Sequence, residues 1–189
     1  MEENKPKISG FKYWLDFAWE ILKIVVISLA IIVPIRYFLI QPFFVKGASM
    51  EPTYLDGDYL IIDEISYRFE TPKRGEVIIF RYPLDPTQFF IKRVVGLPGE
   101  TVKVENGKVI IEEQSGNSFI LDESQYLHGV TTAGNVETTL EDNEYFVLGD
   151  NRNASSDSRR WGEVNKKLII GRAWLRAWPF NRLGALLNR

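Results

Sequence analysis

Cysteine is absent from this 189-residue chain, and histidine occurs once, at His128. The first absence excludes disulfides, thiol nucleophiles and thiolate metal sites, and it leaves the compartment unassigned by redox chemistry. The second excludes a histidine cluster for zinc. His128 stands in a Gly- and Thr-rich stretch that reads as a solvated loop, a poor setting for the base of a Ser-His-Asp triad. A charge excess is lacking too: 23 Lys and Arg against 25 Asp and Glu leave a formal net charge of -2, which gives no electrostatic case for a nucleic-acid partner. The sequence also has no internal repeat and no low-complexity tract.

One long apolar run is present. Ile21 to Ile40 reads ILKIVVISLAIIVPIRYFLI, interrupted by Lys23, Pro34 and Arg36. About 20 such residues span the hydrocarbon core as a helix, and basic side chains near its ends reach the headgroups. Phe11, Trp14, Phe17 and Trp19 fit an interfacial aromatic belt, and Lys5, Lys7, Lys12 and Lys23 place the amino terminus in the cytoplasm. The expected organisation is therefore a cytoplasmic and interfacial segment (1–20), one transmembrane helix (21–40) and an extracytoplasmic domain (41–189), in a single-pass protein of the cell membrane. Two plainer readings compete. A cleaved signal peptide is opposed by the bulky Gln41-Pro42-Phe43-Phe44, and a soluble-core helix is favoured by Arg36 but opposed by the length of the run.

After the run the pattern turns strand-like. Phe43–Lys46, Tyr59–Ile62, Glu76–Phe80, Phe89–Val95, Thr101–Val104, Lys108–Ile111, Tyr145–Leu148 and Leu168–Leu175 are short apolar or β-branched stretches separated by turn residues. Asn106-Gly107 is a strong hairpin signal between two of them. Residues 112–141 are polar, with loops and short strands expected. The fold class is mainly β: a transmembrane helix followed by an all-β domain, a folded sheet or barrel.

Three stretches could carry chemistry. Gly47-Ala48-Ser49-Met50-Glu51-Pro52 sets a serine at the end of an extended segment, where Gly47 allows close backbone approach; alone it also reads as a turn. In Phe90-Ile91-Lys92-Arg93-Val94, strand alternation puts Lys92 with Phe90 and Val94, away from Ile91 and Arg93. Desolvation there lowers a lysine from about 10.4 toward neutrality and frees an amine to act as a base, while a snorkelling or salt-bridged strand lysine fits the same context. Gly149 to Arg159 is dense in polar groups, either loop-forming or part of a site. Ser155 could orient a neutral amine without adding charge, and Asp150 and Asp157 could pair with Arg93, Arg152 or Arg159.

Taken together, Ser49–Thr53, Arg74–Phe80, Lys92–Gly99, Gly149-Asp150-Asn151 and Ser155–Arg159 resemble, in order and spacing, the type I signal peptidases, and the short single-anchor chain resembles their compact bacterial subtype. The resemblance implies a membrane-anchored serine endopeptidase that removes signal peptides from exported preproteins after Ala-x-Ala type sites. It implies Ser49 as nucleophile and Lys92 as general base, Ser155 as the serine orienting the lysine, Asp157 and Arg159 as a supporting charge pair and Asp150 as a structural carboxylate. Phe43, Val45, Met50 and Ile91 fall at positions lining pockets for small residues, although alternation sets Ile91 opposite Lys92. No metal or organic cofactor is implied; the partners are signal peptides and membrane lipid. Gly47 replaces a serine that some members use in the oxyanion hole, which leaves the Ser49 N–H, with the Gly47 backbone or a water, for that role, and Asn153-Ala154 replaces an Asp-Asn pair. Residues 112–141 fall where the family varies most in size. A rival self-cleaving Ser-Lys peptidase finds no preceding DNA-binding segment. A catalytically silent membrane-anchored β scaffold is the alternative from another class.

Overall fold

The computed structural model describes residues 10–38 and 41–185. The chain divides into two units, Met1–Leu39 and Ile40–Arg189. In the first, helix α1 (Gly10–Phe38) continues through Pro34, and large apolar side chains from Ile21 to Val33 stand exposed on it. Among the described residues no helix is long and apolar enough to cross a membrane. The predicted span begins only at Ile21 and runs on through Leu39 and Ile40, which lie outside the described residues.

The second unit is built from antiparallel strands in two sheets. The larger has the order β1 (Gln41–Phe44), β2 (Tyr59–Asp63), β11 (Ile169–Trp178), β3 (Val77–Tyr82), β4 (Asp85–Gly96), β9 (Glu144–Leu148), β10 (Val164–Asn165), with β12 (Gly184–Ala185) also paired to β11. The smaller runs β7 (Ser118–Ile120), β6 (Lys108–Glu112), β5 (Thr101–Glu105), β8 (Val136–Thr139). Short helices α2 (Ser66–Phe69) and α3 (Ser158–Trp161) interrupt the connections.

The continuous apolar run Val77-Ile78-Ile79-Phe80 forms a strand buried on both faces, as such runs do when covered on each side. Val77 and Ile79 enter one apolar cluster with Val45, Met50 and Ile91, while Ile78 and Phe80 enter another with Val94, Tyr145 and Val147. A third cluster, under the small sheet, joins Val102, Val104, Val109 and Ile111 to Val95, Phe146 and Leu148. Strands β5 and β6 meet at Asn106-Gly107, whose positive φ angles of 51° and 80° are those a tight hairpin turn requires.

Two boundaries differ from the sequence reading. The strand expected at Phe43–Lys46 is Gln41–Phe44, because Val45 already turns to pair with the Asp56–Gly57–Asp58 turn through Val45 N–H to Asp58 O and Gly57 N–H to Val45 O. The strand expected to begin at Phe89 begins at Asp85, so that Pro86 lies in the exposed start of β4. Its register with β3 shifts between Arg81 and Tyr82, which lets the proline sit where no ladder hydrogen bond is needed.

Candidate active site

Ser49 lies in the turn after β1, with Met50 wholly buried beneath it. The loop after β9 holds this turn: Asn151 N–H donates to Ser49 O at 3.1 Å, and Asn151 Nδ2 donates to Ala48 O at 3.0 Å. Gly149 packs so close that a Cβ there would stand 2.4 Å from Ser49 O and 2.2 Å from Ser155 Oγ. Only a residue without a side chain fits.

Lys92 comes from the middle of β4. Its register partner is Ile78 while that of Ile91 is Ile79, and these partners belong to different clusters, so Lys92 and Ile91 occupy opposite faces as alternation requires. The lysine is 4% exposed, passes the Phe90 ring at 5.4 Å, and donates from Nζ to Ser49 Oγ at 2.8 Å and to Ile91 O at 2.9 Å. Burial brings its pKa down from 10.5 to about 8, against the opposing charges of Asp157 and Asp150. At pH 7 about a tenth of the side chain is therefore a free amine touching a hydroxyl, far more than an ordinary lysine supplies and the pairing that turns a serine into a nucleophile.

Two buried ion pairs frame this contact. Arg93 grips Asp150 with Nε to Oδ1 at 2.8 Å and Nη2 to Oδ2 at 2.6 Å, and Thr53 Oγ1 donates to the same carboxylate at 2.5 Å. Asp157 accepts from Arg159 Nε and Nη2, both at 2.8 Å, and from Gly149 N–H at 3.1 Å. Burial pushes the Asp157 carboxyl up, but the Arg159 side chain, the neighbouring Ser155 hydroxyl and the Gly149 N–H outweigh it and hold the group below the usual carboxylate range.

The family model described as signal peptidase, peptidase S26, matches residues 18–178. The probable signal peptidase I-2 of Synechocystis sp. is 39% identical over 181 residues, spanning 93% of this chain and 78% of that protein. The signal peptidase I of Leptolyngbya laminosa is 39% identical over 88% of this chain and 83% of that protein, and the signal peptidase I of Pseudomonas aeruginosa is 31% identical over 85% and 73%. The chain belongs to the signal peptidase family, peptidase S26.

As an S26 peptidase it is an enzyme, and its expected site residues can be placed one by one. Ser49 and Lys92 meet directly. Asp157 and Arg159 pair as expected, and Asp150 takes Arg93 rather than Arg152, whose guanidinium is bound to Glu123 and Gly149 O. Phe43, Val45, Met50 and Ile91 converge on one apolar cluster.

Other expected residues stand apart from these contacts. Ser155 is buried beside Gly149 and next to the Asp157 carboxylate, which its hydroxyl helps to lower, while the hydrogen bonds of Lys92 run to Ser49 and Ile91. Gly47 N–H, expected to help hold an oxyanion, already donates to Asp56 Oδ1 at 2.7 Å. Nor does Gly47 serve close packing: a Cβ there meets nothing within 4 Å, and the glycine is needed for its φ of +84°. The Ser49 N–H donates to nothing among the described residues and stays available. Asn151, Thr53 and Asp56 were missed as supports of the serine turn. Their only sequence signal is proximity to Asp150 and Ser49.

Proposed function

We propose that this S26 peptidase is a single-pass membrane enzyme that removes N-terminal signal peptides from exported preproteins after small residues, at Ala-x-Ala type sites, with Ser49 as nucleophile and Lys92 as general base. The observation that carries this reading is the 2.8 Å contact between Lys92 Nζ and Ser49 Oγ at a lysine whose burial lowers it to about 8. With its amine neutral, Lys92 takes the Ser49 proton as Oγ attacks the scissile carbonyl. The Ser49 N–H faces the developing oxyanion. The ammonium then gives its proton to the leaving amine, and the free amine next activates a water that hydrolyses the acyl-enzyme.

Substrate binding follows from the strand edges. Strand β1 ends the larger sheet, and pairing of β4 with β9 starts only at Arg93, so Phe89–Lys92 have an open side among the described residues. Phe43 and Phe89 approach from the two strands, ring centroids 5.3 Å apart. An extended peptide added between them makes main-chain hydrogen bonds, and its alternate side chains meet the floor of Val45, Met50 and Ile91. Because these three are already 0–8% exposed, the recess favours small side chains.

The anchor rests on the Ile21–Ile40 run and its basic and aromatic flanks. Ser49 is nine residues past Ile40, and nine extended residues reach at most about 30 Å, which limits how far a tethered site can lie from the end of the anchor. Trp174, Trp178 and Phe180 are exposed rather than core residues, which supports contact with lipid. A silent scaffold has no use for a buried lysine held on a serine. The test is cleavage of a purified Ala-x-Ala preprotein by the detergent-solubilised full chain beside Ser49→Ala and Lys92→Ala. Release of the mature chain by the parent alone supports the dyad; activity in either folded variant refutes it.

A further inference from the structure

The serine turn separates two different environments. Met50 descends into the apolar cluster that also holds Phe43, Val45 and Ile91. The next two residues, Glu51 and Pro52, instead line a cavity of about 340 Å³ whose other walls include Tyr126, Leu127, Val130 and Asn151. No residue belongs to both. His128, Asp150, Arg152 and Asn153 also line it, yet the surface it exposes is mainly apolar, and its size falls at the low end of ligand pockets, about 300–1,000 Å³.

This cavity shares Asn151 with the turn that carries the nucleophile. Asn151 forms part of its wall and holds the carbonyl oxygens of Ser49 and Ala48 through its N–H and Nδ2. The wall from Tyr126 to Val130 is a compact turn, with Leu127 N–H to Glu123 O at 2.9 Å and Val130 N–H to Leu127 O at 2.7 Å. Glu123 is in turn bound by the buried Arg152, which anchors the segment to the loop carrying Asn151. Leu127 is buried, whereas Val130 remains 45% exposed at the cavity.

A peptide whose acyl half lies over Phe43, Val45 and Ile91 continues past Ser49, and the next residues of that turn, Glu51 and Pro52, line the cavity. We infer that the cavity between Glu51-Pro52 and Tyr126–Val130 receives the first residues of the leaving half, the start of the mature chain, and favours an apolar side chain there. This inference rests on the peptidase reading above and adds a second binding region to it. Such contacts act before the scissile bond is broken, fixing the carbonyl on Ser49, and are gone once the leaving half departs. They therefore speed acylation and leave deacylation untouched.

The test uses two substrates with the same acyl half. One continues for five residues after the site, with leucine in the first two positions; the other ends in a methyl ester, so both give the same acyl-enzyme. Val130→Trp fills the cavity from an exposed position, and Val130→Ala leaves it open. The expected result is a loss of at least about tenfold in kcat/KM for the long peptide with Val130→Trp, with less than about twofold change on the ester and near-parental values for Val130→Ala on both. Unchanged cleavage of the long peptide by Val130→Trp overturns the inference, and so does an equal loss on both substrates, which would mark a structural effect. A parent inactive on both would instead overturn the peptidase reading, and the cavity assignment with it.

Discussion

Arg93 and Asp150 form a two-point contact, 2.8 Å and 2.6 Å, between side chains only 2% and 0% exposed. The pair joins β4, which carries Lys92, to the loop that grips Ser49, and Thr53 extends it into the serine turn itself. Losing one member leaves a buried charge without its partner, at a cost of about 3–5 kcal/mol. Asp150→Ala should therefore lower the thermal midpoint of the detergent-solubilised chain strongly. Arg93→Met combined with Asp150→Leu should be less damaging than the sum of the two single changes. Additive losses in that double-mutant cycle would contradict a coupled pair.

The buried lysine sets the pH profile. Below about 8 Lys92 is mostly protonated and the free base scarce, so log kcat/KM should rise with unit slope and level off above about 8. Asp157 and Asp150 both raise this pKa, so Asp157→Asn should move the midpoint lower. A midpoint near 10.5 in the parent, or an upward shift in the variant, would remove the basis for the assignment.

Stability should change in the opposite sense to activity at the same residue. The folded pKa of Lys92 is depressed below its unfolded value, so below about 8 folding buries an ammonium at a cost, and the cost fades as pH rises toward 10.5. Lys92→Met should thus be inactive yet more stable than the parent at pH 7, by about 2–3 kcal/mol, with the gap closing toward pH 10.5. Melting curves of both proteins at pH 7 and pH 10.5 decide the point.

Gly149 offers a steric test. A methyl group there meets Ser49 O at 2.4 Å and Ser155 Oγ at 2.2 Å, and the first of these is backbone that cannot swing aside. Displacing the nucleophile by about 1 Å costs on the order of a hundredfold in rate, so Gly149→Ala should lose about that much kcat. Gly184→Ala, where a Cβ meets nothing within 4 Å, serves as the control and should keep full activity.

Much of this was legible in the sequence because it depends on local pattern. The buried β3 run, the Asn106-Gly107 hairpin and the alternation that separates Lys92 from Ile91 are period and turn chemistry, and they appear where expected. Ser49 and Lys92 were legible only through the resemblance, since each alone fits a bland reading. The partners chosen in space were not legible. Three arginines were candidates for two aspartates, and only the folded loop gives Asp150 to Arg93 and Arg152 to Glu123. The role of Asn151 and the capture of Gly47 N–H by Asp56 depend likewise on where turns meet, which no spacing rule encodes.

Strand β11 lies between β2 and β3, although more than a hundred residues of chain separate it from β2. During synthesis the residues that form Ser49, Lys92 and Asn151 all leave the ribosome before the strand that joins the two halves of their sheet. Strand β11 is thus the seam of the larger sheet, pairing with β2 along one edge and β3 along the other, so the two flanks that bear on the site meet only through it.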